Sequence, residues 1–332
     1  MPLDPRVKRF LDVLAAGNPP NARSVSVAQR RARLVDLMKL GGPGAAVGAT
    51  EDRTLPGPSG PLAVRIYSPV RAAGAARAAS PVRAAAANSD ASPALVYFHG
   101  GGLVAGSIDT HDSIARALCH AGDCRVLSVD YRLAPEHPFP AGLDDATAAI
   151  AHIGSHAADF GVDAARLGVC GDSAGGTLAA AACQALARSA MPRPALQLLL
   201  CPILDYSRRT GSRRDFASGY LIDQDTLDHD LEHYAPRGAD PRDPRISPLL
   251  AADFTAMPPT IIHTAEFDPL RDEGKDYFER LTHTGSALAY TCHPGMIHLF
   301  YGLGAVIPYA RTAFEKMGAE IRAALTDPGA TE

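Results

Sequence analysis

A serine set among glycines is the feature of the sequence best suited to chemistry. Ser173 is the centre of Gly171–Gly175, which reads Gly-Asp-Ser-Ala-Gly, and the apolar stretch Leu167–Cys170 leads into it. Between a strand and a helix, this pattern predicts a sharp turn that presents the serine hydroxyl as a nucleophile. The glycines let neighbouring elements approach the turn closely. Because so short a pattern also arises by chance in glycine-rich turns, the serine needs partners elsewhere in the chain.

A run of glycines upstream of the serine supplies the first partner. His99–Gly102 reads His-Gly-Gly-Gly and follows the strand-like stretch Ala94–Phe98. An acyl-transfer enzyme needs hydrogen-bond donors where negative charge develops on the carbonyl oxygen, and backbone N–H groups of a glycine loop can serve there. We therefore assign a candidate oxyanion hole to the N–H groups of Gly101, Gly102 and Ala174.

An acid is expected next, because hydrolases with this serine turn carry an acid and then a histidine after later strands. Asp268 follows the strand-like stretch Thr260–Thr264 and is the preferred candidate. Glu266 and Asp272 compete for the role. Asp272 is expected instead in the first turn of the next helix, where a carboxylate is favoured by the helix dipole.

The general base is expected after the last strand. His298 follows the strand-like stretch Ala287–His293, whose terminal His293 is the competing histidine. In the predicted arrangement, His298 takes the proton of Ser173 and later gives it to the leaving group. Asp268 orients the imidazole ring.

The elements that would position these residues alternate along the chain. Continuous apolar strands separated by helices predict a mostly parallel sheet that is covered on both faces. The predicted strands are Leu62–Tyr67, Ala94–Phe98, Arg125–Asp130, Leu167–Cys170, Leu196–Cys201, Thr260–Thr264 and Ala287–His293. The predicted helices between them are His111–Ala121, Asp144–Ala158, Ala174–Ser189, Arg271–Thr284 and Tyr309–Leu325.

Two segments interrupt this alternation and are expected to form a helical cap over the active edge of the sheet. Residues 1–45 carry helical patterns at Pro5–Ala16 and Val27–Leu40. Residues 206–245 carry one at Gln224–His233. Neither segment supplies an obvious strand.

The remaining residues, 46–205 and 246–332, are expected to form the α/β core. Within them, residues 68–93 have low complexity, since Ser68–Ala73 recurs unchanged as Ser80–Ala85. Two copies are too few for a repeat architecture. We interpret them as an insertion in a surface loop, which costs little to lengthen.

Taken together, the motifs resemble the bacterial hormone-sensitive-lipase-type esterases of the α/β-hydrolase superfamily. The matching segments are His99–Gly102, Asp130–Glu136, Gly171–Gly176, Asp268–Gly274 and His298. The resemblance covers nearly the whole chain. It implies an α/β-hydrolase fold with a mostly parallel eight-stranded sheet, flanking helices and a helical cap.

The resemblance also implies a function. Members of this family hydrolyse short- to medium-chain carboxylic esters without a cofactor, and many form dimers. Carried over residue by residue, the catalytic residues are Ser173, Asp268 and His298. The expected partners of the chain are a small-molecule ester substrate and a second copy in a homodimer.

Five further residues within or next to the motifs are expected to contribute. His99, Gly100 and Asp172 are expected to support the site. Leu103 follows the glycine run, where the family commonly has an aromatic residue, and Leu299 follows the catalytic histidine, where a glycine is common. Because both leucines are predicted to line the substrate pocket, these departures are expected to change the acyl or alcohol preference.

The composition argues against several other classes of protein. The 332 residues include 32 Lys and Arg against 36 Asp and Glu, a formal net charge of −4. Such a chain has no basic excess with which to neutralise nucleic-acid phosphates. No apolar run approaches the roughly 18 residues of a spanning helix, and no secretory signal pattern is present, so a cytoplasmic protein is expected. The six cysteines are predicted to be buried free thiols.

Three alternatives stay open. An amidase or deacetylase would use the same triad and pass through the same oxyanion. A non-catalytic small-molecule-binding protein could use the same scaffold. His229–His233 also matches the zinc-peptidase pattern H-x-x-E-H, but no third ligand can be identified for it, so exposed cap residues are the preferred interpretation and no metal or cofactor is expected.

Overall fold

The computed structural model describes residues 2–18, 20–70, 91–189 and 193–326. The predicted insertion at 68–93 therefore lies mostly outside the described residues. At its two ends, Ser68 is the last residue of one strand and Ser92 is the first residue of the next.

Eight strands form a single sheet within the described residues. They are β1 (Ala49–Gly57), β2 (Gly60–Ser68), β3 (Ser92–Phe98), β4 (Arg125–Val129), β5 (Val162–Asp172), β6 (Leu196–Leu200), β7 (Thr260–Phe267) and β8 (Ala287–Ile297). Their spatial order is β1-β2-β4-β3-β5-β6-β7-β8. The β1–β2 and β2–β4 pairs are antiparallel and the other pairs are parallel. The predicted mostly parallel eight-stranded sheet is confirmed.

Helices cover the sheet on both faces, as the alternating pattern predicts. They are α1 (Pro5–Ala16), α2 (Val27–Met38), α3 (Asp112–Gly122), α4 (Ala141–Ser155), α5 (Ala174–Ala187), α6 (Gly211–Asp215), α7 (Gln224–Tyr234), α8 (Arg271–Thr282) and α9 (Tyr309–Thr326). Strand β3 explains the two layers, because successive side chains of a strand point to opposite faces. Val96 and Phe98 join the core on the side of α4, α5 and α8, whereas Leu95 and Tyr97 join the core on the side of α3 and α9.

Local sequence signals set the starts of α1, α2 and α7. Asp4 accepts backbone N–H groups at the start of α1. Ser26 and Gln29 form a capping box at the start of α2, in which each side chain accepts the other residue's backbone N–H. Asp223 caps α7 by accepting the N–H of Thr226 at 2.7 Å. The three helices predicted within residues 1–45 and 206–245 are present, with bounds close to those expected.

Strand β1 and helix α6 are absent from the predictions. Strand β1 is a mostly exposed edge strand in which Leu55 alone is buried, so it lacks the apolar run that marks the other strands. Pairing with β2 along its whole length holds it in the sheet. Helix α6 spans little more than one turn and is held by the buried ion pair between Arg213 and Glu273, 3.0 Å apart. Strand β1 is thus held by its hairpin partner β2, and α6 by a contact 60 residues away in the chain.

The cysteines are free thiols, as predicted, and five of the six are buried. No helix within the described residues combines the length and the apolar character that crossing a membrane would require.

Candidate active site

Ser173, Asp268 and His298 each come directly after the last residue of a parallel strand, namely β5, β7 and β8. The carboxyl ends of parallel strands meet at one edge of the sheet, which is where α/β proteins bind ligands. Strand β8 extends past His293 to Ile297, so His293 lies inside the strand and His298 follows it immediately. The topology alone thus brings the three predicted residues to one edge.

The backbone of Ser173 is strained. Its φ of 52° and ψ of −120° lie in a region that residues other than glycine rarely adopt. The flanking glycines permit this turn, because a Cβ on Gly171 would lie 2.2 Å from the carbonyl oxygen of Gly175, and one on Gly175 would lie 2.0 Å from that of Phe98. The N–H of Ser173 donates to the carbonyl oxygen of Leu200 at 2.8 Å. The side chain therefore projects from a fixed turn at the start of α5.

The imidazole of His298 lies between the serine and the aspartate. Its Nε2 is 3.0 Å from Oγ of Ser173, and its Nδ1 is 2.9 Å from Oδ2 of Asp268. The other carboxylate oxygen, Oδ1, accepts the N–H of Leu270 at 2.8 Å. All three of the predicted residues are buried. This is the geometry in which a histidine accepts a proton from a serine hydroxyl.

The electrostatics favour a basic imidazole. Burial opposes charging of the His298 ring, but the Asp268 carboxylate beside it outweighs burial and raises the pKa of His298 above its ordinary value of 6.5. A carboxylate paired with a histidine in this way stabilises the imidazolium that forms when a proton arrives. The pair is therefore suited to general-base chemistry.

The competing candidates lie elsewhere and make other contacts. The Glu266 carboxylate accepts the N–H of Gly295 at 2.7 Å, and that of Asp272 accepts the N–H of Ser212 at 2.7 Å. His293 lies against a second buried histidine, with 2.9 Å between their ring nitrogens. The three competitors thus have structural partners, and none of these partners is the serine.

The glycine loop after β3, which carries two of the candidate oxyanion donors, has positive φ angles. Gly101 has φ 118° and Gly102 has φ 70°, so both positions require glycine. The N–H groups of Gly101, Gly102 and Ala174 have no acceptor assigned among the described residues. Buried donors without a protein acceptor can be satisfied by a ligand oxygen.

Asp172 joins the serine turn to this loop. Its Oδ1 accepts the hydroxyl of Tyr97 at 2.5 Å and the N–H of Gly100 at 2.9 Å. Burial raises the pKa of Asp172 to about 6, although these donors oppose the shift. Asp172, which precedes Ser173, therefore holds Gly100, which precedes the two candidate oxyanion glycines. Tyr97 is a supporting residue that no motif in the sequence indicates.

His99 is fixed by a tyrosine from the segment after β4. The hydroxyl of Tyr131 donates to the carbonyl oxygen of His99 at 2.7 Å, and the two rings stack with centroids 4.4 Å apart. Burial lowers the pKa of His99 to about 3, so the ring is neutral near neutral pH. Tyr131 lies within the motif segment Asp130–Glu136, which is the signal by which sequence reasoning could have found it.

Comparison with known proteins now identifies the fold family. A family described by its alpha/beta hydrolase fold matches residues 95–302. The chain belongs to the hormone-sensitive-lipase-like family of α/β-hydrolases. The family predicted from the motifs is confirmed.

The relatives of this hydrolase are ester hydrolases. The carboxylic ester hydrolase LipN of Mycobacterium tuberculosis is 40% identical over 259 residues, which are 76% of this chain and 64% of LipN. The arylesterase of Saccharolobus solfataricus is 33% identical over 303 residues, covering 91% of this chain and 93% of the arylesterase. A solved ester hydrolase from the metagenome of Lake Arreo, complexed with a derivative of bipyridine phosphonate, superposes with a TM-score of 0.88 and 39% identity over 97% of this chain and 98% of its own. The predicted enzyme class is confirmed at this level.

The two predicted pocket leucines have unusual backbones. Leu103 has φ 63° and Leu299 has φ 61°, and both side chains are buried. Each directly follows a residue of the site, Gly102 in one case and His298 in the other. The carbonyl oxygen of Leu103 accepts the N–H of Ala134 at 2.9 Å, which ties the glycine loop to the motif segment after β4.

Helix α2 is attached to the same loop through Arg31. Arg31 donates to the carbonyl oxygen of Val104 at 2.9 Å and to that of Ala134 at 3.1 Å. Arg31 also forms a bidentate ion pair with the carboxylate of Glu136. Residues 1–45, through Arg31, therefore contact the loop that carries the candidate oxyanion glycines.

The zinc-peptidase pattern lies on α7, where the rings of His229 and His233 are 4.5 Å apart. In the described part of the chain, the one group of three close metal-ligating side chains is Cys201, Asp268 and His298, and it includes neither of these histidines. An open cavity of about 820 Å³ between residues 41–46 and helices α3 and α9 is lined by neither the serine nor its partners. Neither the α7 histidines nor this cavity therefore offers an alternative to the site at Ser173.

Proposed function

We propose that this hydrolase is a serine carboxylesterase that uses Ser173 as nucleophile, His298 as general base and Asp268 as the residue that orients the imidazole. The observation that carries the proposal is the pair of contacts made by His298, 3.0 Å to Oγ of Ser173 and 2.9 Å to Oδ2 of Asp268. The ester hydrolases among its relatives support the reaction class. No residue of the mechanism requires a cofactor.

In the first half of the reaction, Oγ of Ser173 attacks the ester carbonyl carbon while its proton passes to Nε2 of His298. The carbonyl oxygen becomes an oxyanion that accepts hydrogen bonds from the N–H groups of Gly101, Gly102 and Ala174. Collapse of this intermediate breaks the bond to the alcohol oxygen, which takes the proton from the imidazolium. The acyl group remains on the serine as an ester.

In the second half, His298 removes a proton from water, and the resulting hydroxide attacks the acyl carbon. The same N–H groups bind the second oxyanion. Collapse returns the proton to Oγ of Ser173 and releases the carboxylic acid. The substrates are short- to medium-chain esters, and the two cap segments, residues 1–45 and 206–245, cover the acyl-binding site and reduce access of water.

The proposal is tested by hydrolysis of p-nitrophenyl esters from acetate to laurate, with the wild type and the Ser173→Ala variant. We expect turnover by the wild type that is greatest for the shorter chains and insensitive to chelator. We expect turnover by Ser173→Ala to fall by about 10⁶-fold, the loss known for removing such a nucleophile. Equal turnover by the two proteins would contradict the assignment of the nucleophile. A matched anilide would distinguish esterase from amidase activity.

The predicted homodimer and the cytoplasmic location stay predictions. They rest on the resemblance and on the sequence composition.

A further inference from the structure

The two cap segments meet above the candidate oxyanion loop through a buried ion pair. Nη2 of Arg30, on α2, lies 3.1 Å from Oδ2 of Asp230, on α7. The Asp230 side chain is 5% exposed and that of Arg30 is 22% exposed. The family motifs include neither residue. The pair is therefore a property of this chain that the mechanism above does not use.

The carboxylate of Asp230 packs directly against Gly102. A Cβ placed on Gly102 would be 1.8 Å from Oδ2 of Asp230 and 2.4 Å from its carboxyl carbon. On the neighbouring glycine, a Cβ on Gly101 would be 3.1 Å from Cδ2 of Leu34, which lies one helical turn after Arg30 on α2. The cap therefore covers both glycines whose N–H groups would bind the oxyanion, and it brings a carboxylate to one of them.

A carboxylate at this position opposes the reaction unless its charge is cancelled. The oxyanion that forms next to Gly102 is negative, and two like charges a few ångströms apart repel strongly in a buried site. Arg30 supplies the compensating charge. Among the described residues, the guanidinium of Arg30 donates to Asp230 alone, and its Nε is buried without a partner. Within the described residues, the positive charge of Arg30 is thus paired with the Asp230 carboxylate alone.

We propose that Arg30 is a positioning residue for the oxyanion hole: by pairing with Asp230, it lets the cap close on Gly102 without placing an uncompensated negative charge beside the developing oxyanion. This inference rests on the proposed function. It differs from that function in assigning a catalytic consequence to two cap residues that lie outside the triad.

Several groups set the charge of Asp230. Burial raises the pKa of Asp230 to about 6, while Arg30 and His233 act in the opposite direction and Asp223 adds to the increase. Burial raises the pKa of Tyr206, in the segment after β6, and the negative charge of Asp230 adds to that increase. In the wild type the carboxylate is therefore charged and paired at about pH 7 and above. Without Arg30, the pKa of Asp230 rises further. The carboxylate then becomes charged only at higher pH, and it has lost its ion-pair partner.

The test compares kcat and KM for p-nitrophenyl acetate between about pH 7 and about pH 9 in the wild type, Arg30→Gln, Asp230→Asn and the double variant. In Arg30→Gln we expect kcat to fall by about ten- to a hundredfold as pH rises, because Asp230 loses its proton beside the oxyanion. KM for this neutral substrate should change little. The double variant should lose this pH-dependent fall, since the titrating carboxylate is gone.

Asp230→Asn provides an independent measurement if Arg30→Gln fails to fold. It leaves an unpaired cation near the oxyanion, so we expect kcat to rise severalfold rather than fall. The matched control is Arg23→Gln. Arg23 and Glu232 form an exposed ion pair, 2.7 Å apart, that also joins the two cap segments. The control variant breaks this pair. This control should keep the wild-type pH profile.

The inference is overturned if Arg30→Gln keeps the wild-type profile, if the double variant falls with pH as Arg30→Gln does, or if Asp230→Asn loses kcat. An equal fall in Arg23→Gln would assign the effect to cap closure in general and would also overturn it. Failure of the proposed function is a separate result, since it requires that Ser173→Ala retain turnover.

Discussion

Replacing Asp268 with asparagine tests how the imidazole is held. In the structure, Oδ2 of Asp268 contacts Nδ1 of His298 at 2.9 Å, and Oδ1 accepts the N–H of Leu270 at 2.8 Å. Both carboxylate oxygens therefore act as acceptors. Asparagine has the same shape but only one acceptor oxygen. If that oxygen stays on Leu270, the amide NH₂ group faces Nδ1 and forces the ring proton onto Nε2, the atom that must accept the proton of Ser173.

The expected effect of Asp268→Asn is large. A histidine held in the wrong tautomer loses about 10⁴-fold in kcat, or roughly 5 kcal/mol of transition-state stabilisation. The assay is kcat for p-nitrophenyl acetate across a range of pH. Loss of the carboxylate also removes the main influence that raises the pKa of His298, so the remaining activity should extend to lower pH than in the wild type.

Asp272→Asn is the matched control. Asp272 is a half-buried acid four residues further along, and its carboxylate accepts the N–H of Ser212 at 2.7 Å rather than a proton of the imidazole. We expect this variant to keep kcat close to that of the wild type, because its carboxylate binds the N–H of Ser212 and not the imidazole. The reasoning would be refuted by a loss of less than tenfold in Asp268→Asn, or by losses of similar size in the two variants.

Three further predictions follow from the site. The kcat/KM of the wild type should decrease as pH falls through a pKa above 6.5, because His298 must be neutral to accept a proton and its pKa is raised; a pH–rate profile with its acid midpoint below 6.5 would disagree. Gly175→Ala should give little folded, active protein, since its Cβ would lie 2.0 Å from the carbonyl oxygen of Phe98; circular dichroism and esterase activity equal to the wild type would show that the turn tolerates a side chain. Tyr97→Phe should lower the free energy of unfolding by about 1–3 kcal/mol, because it removes a donor from the buried Asp172 carboxylate, and urea unfolding would measure the change.

The sequence predicts the chemistry of the site better than the residues that support it. Ser173, Asp268 and His298 can be found because each follows an apolar run, and the order of nucleophile, acid and base then selects them. The pattern favours His298 but leaves His293 as a competitor. In the structure β8 continues four residues beyond His293, and His298 is the histidine whose ring lies 3.0 Å from Oγ of Ser173.

The supporting contacts are long-range and leave no periodic signal. Tyr97 contacts Asp172 from an adjacent strand, 75 residues away in the chain. Arg30 contacts Asp230 across 200 residues. Such pairs depend on how two separated segments pack, which neither hydrophobic periodicity nor a local motif reports. Strand β1 escapes prediction for a different reason. It pairs with its sequence neighbour β2, but Leu55 is its one buried residue, so it lacks the apolar run that marks the other strands.

The central claim is that Ser173 becomes covalently attached to the acyl group. The most direct measurement is mass spectrometry of the protein after reaction with diethyl p-nitrophenyl phosphate, an organophosphate that transfers a phosphoryl group to an activated serine. The account predicts one diethylphosphoryl group per chain, located on the peptide that contains Ser173, with loss of esterase activity in proportion to labelling and no label in Ser173→Ala. Full loss of activity with the label on another residue, or an active protein that resists labelling, would contradict it.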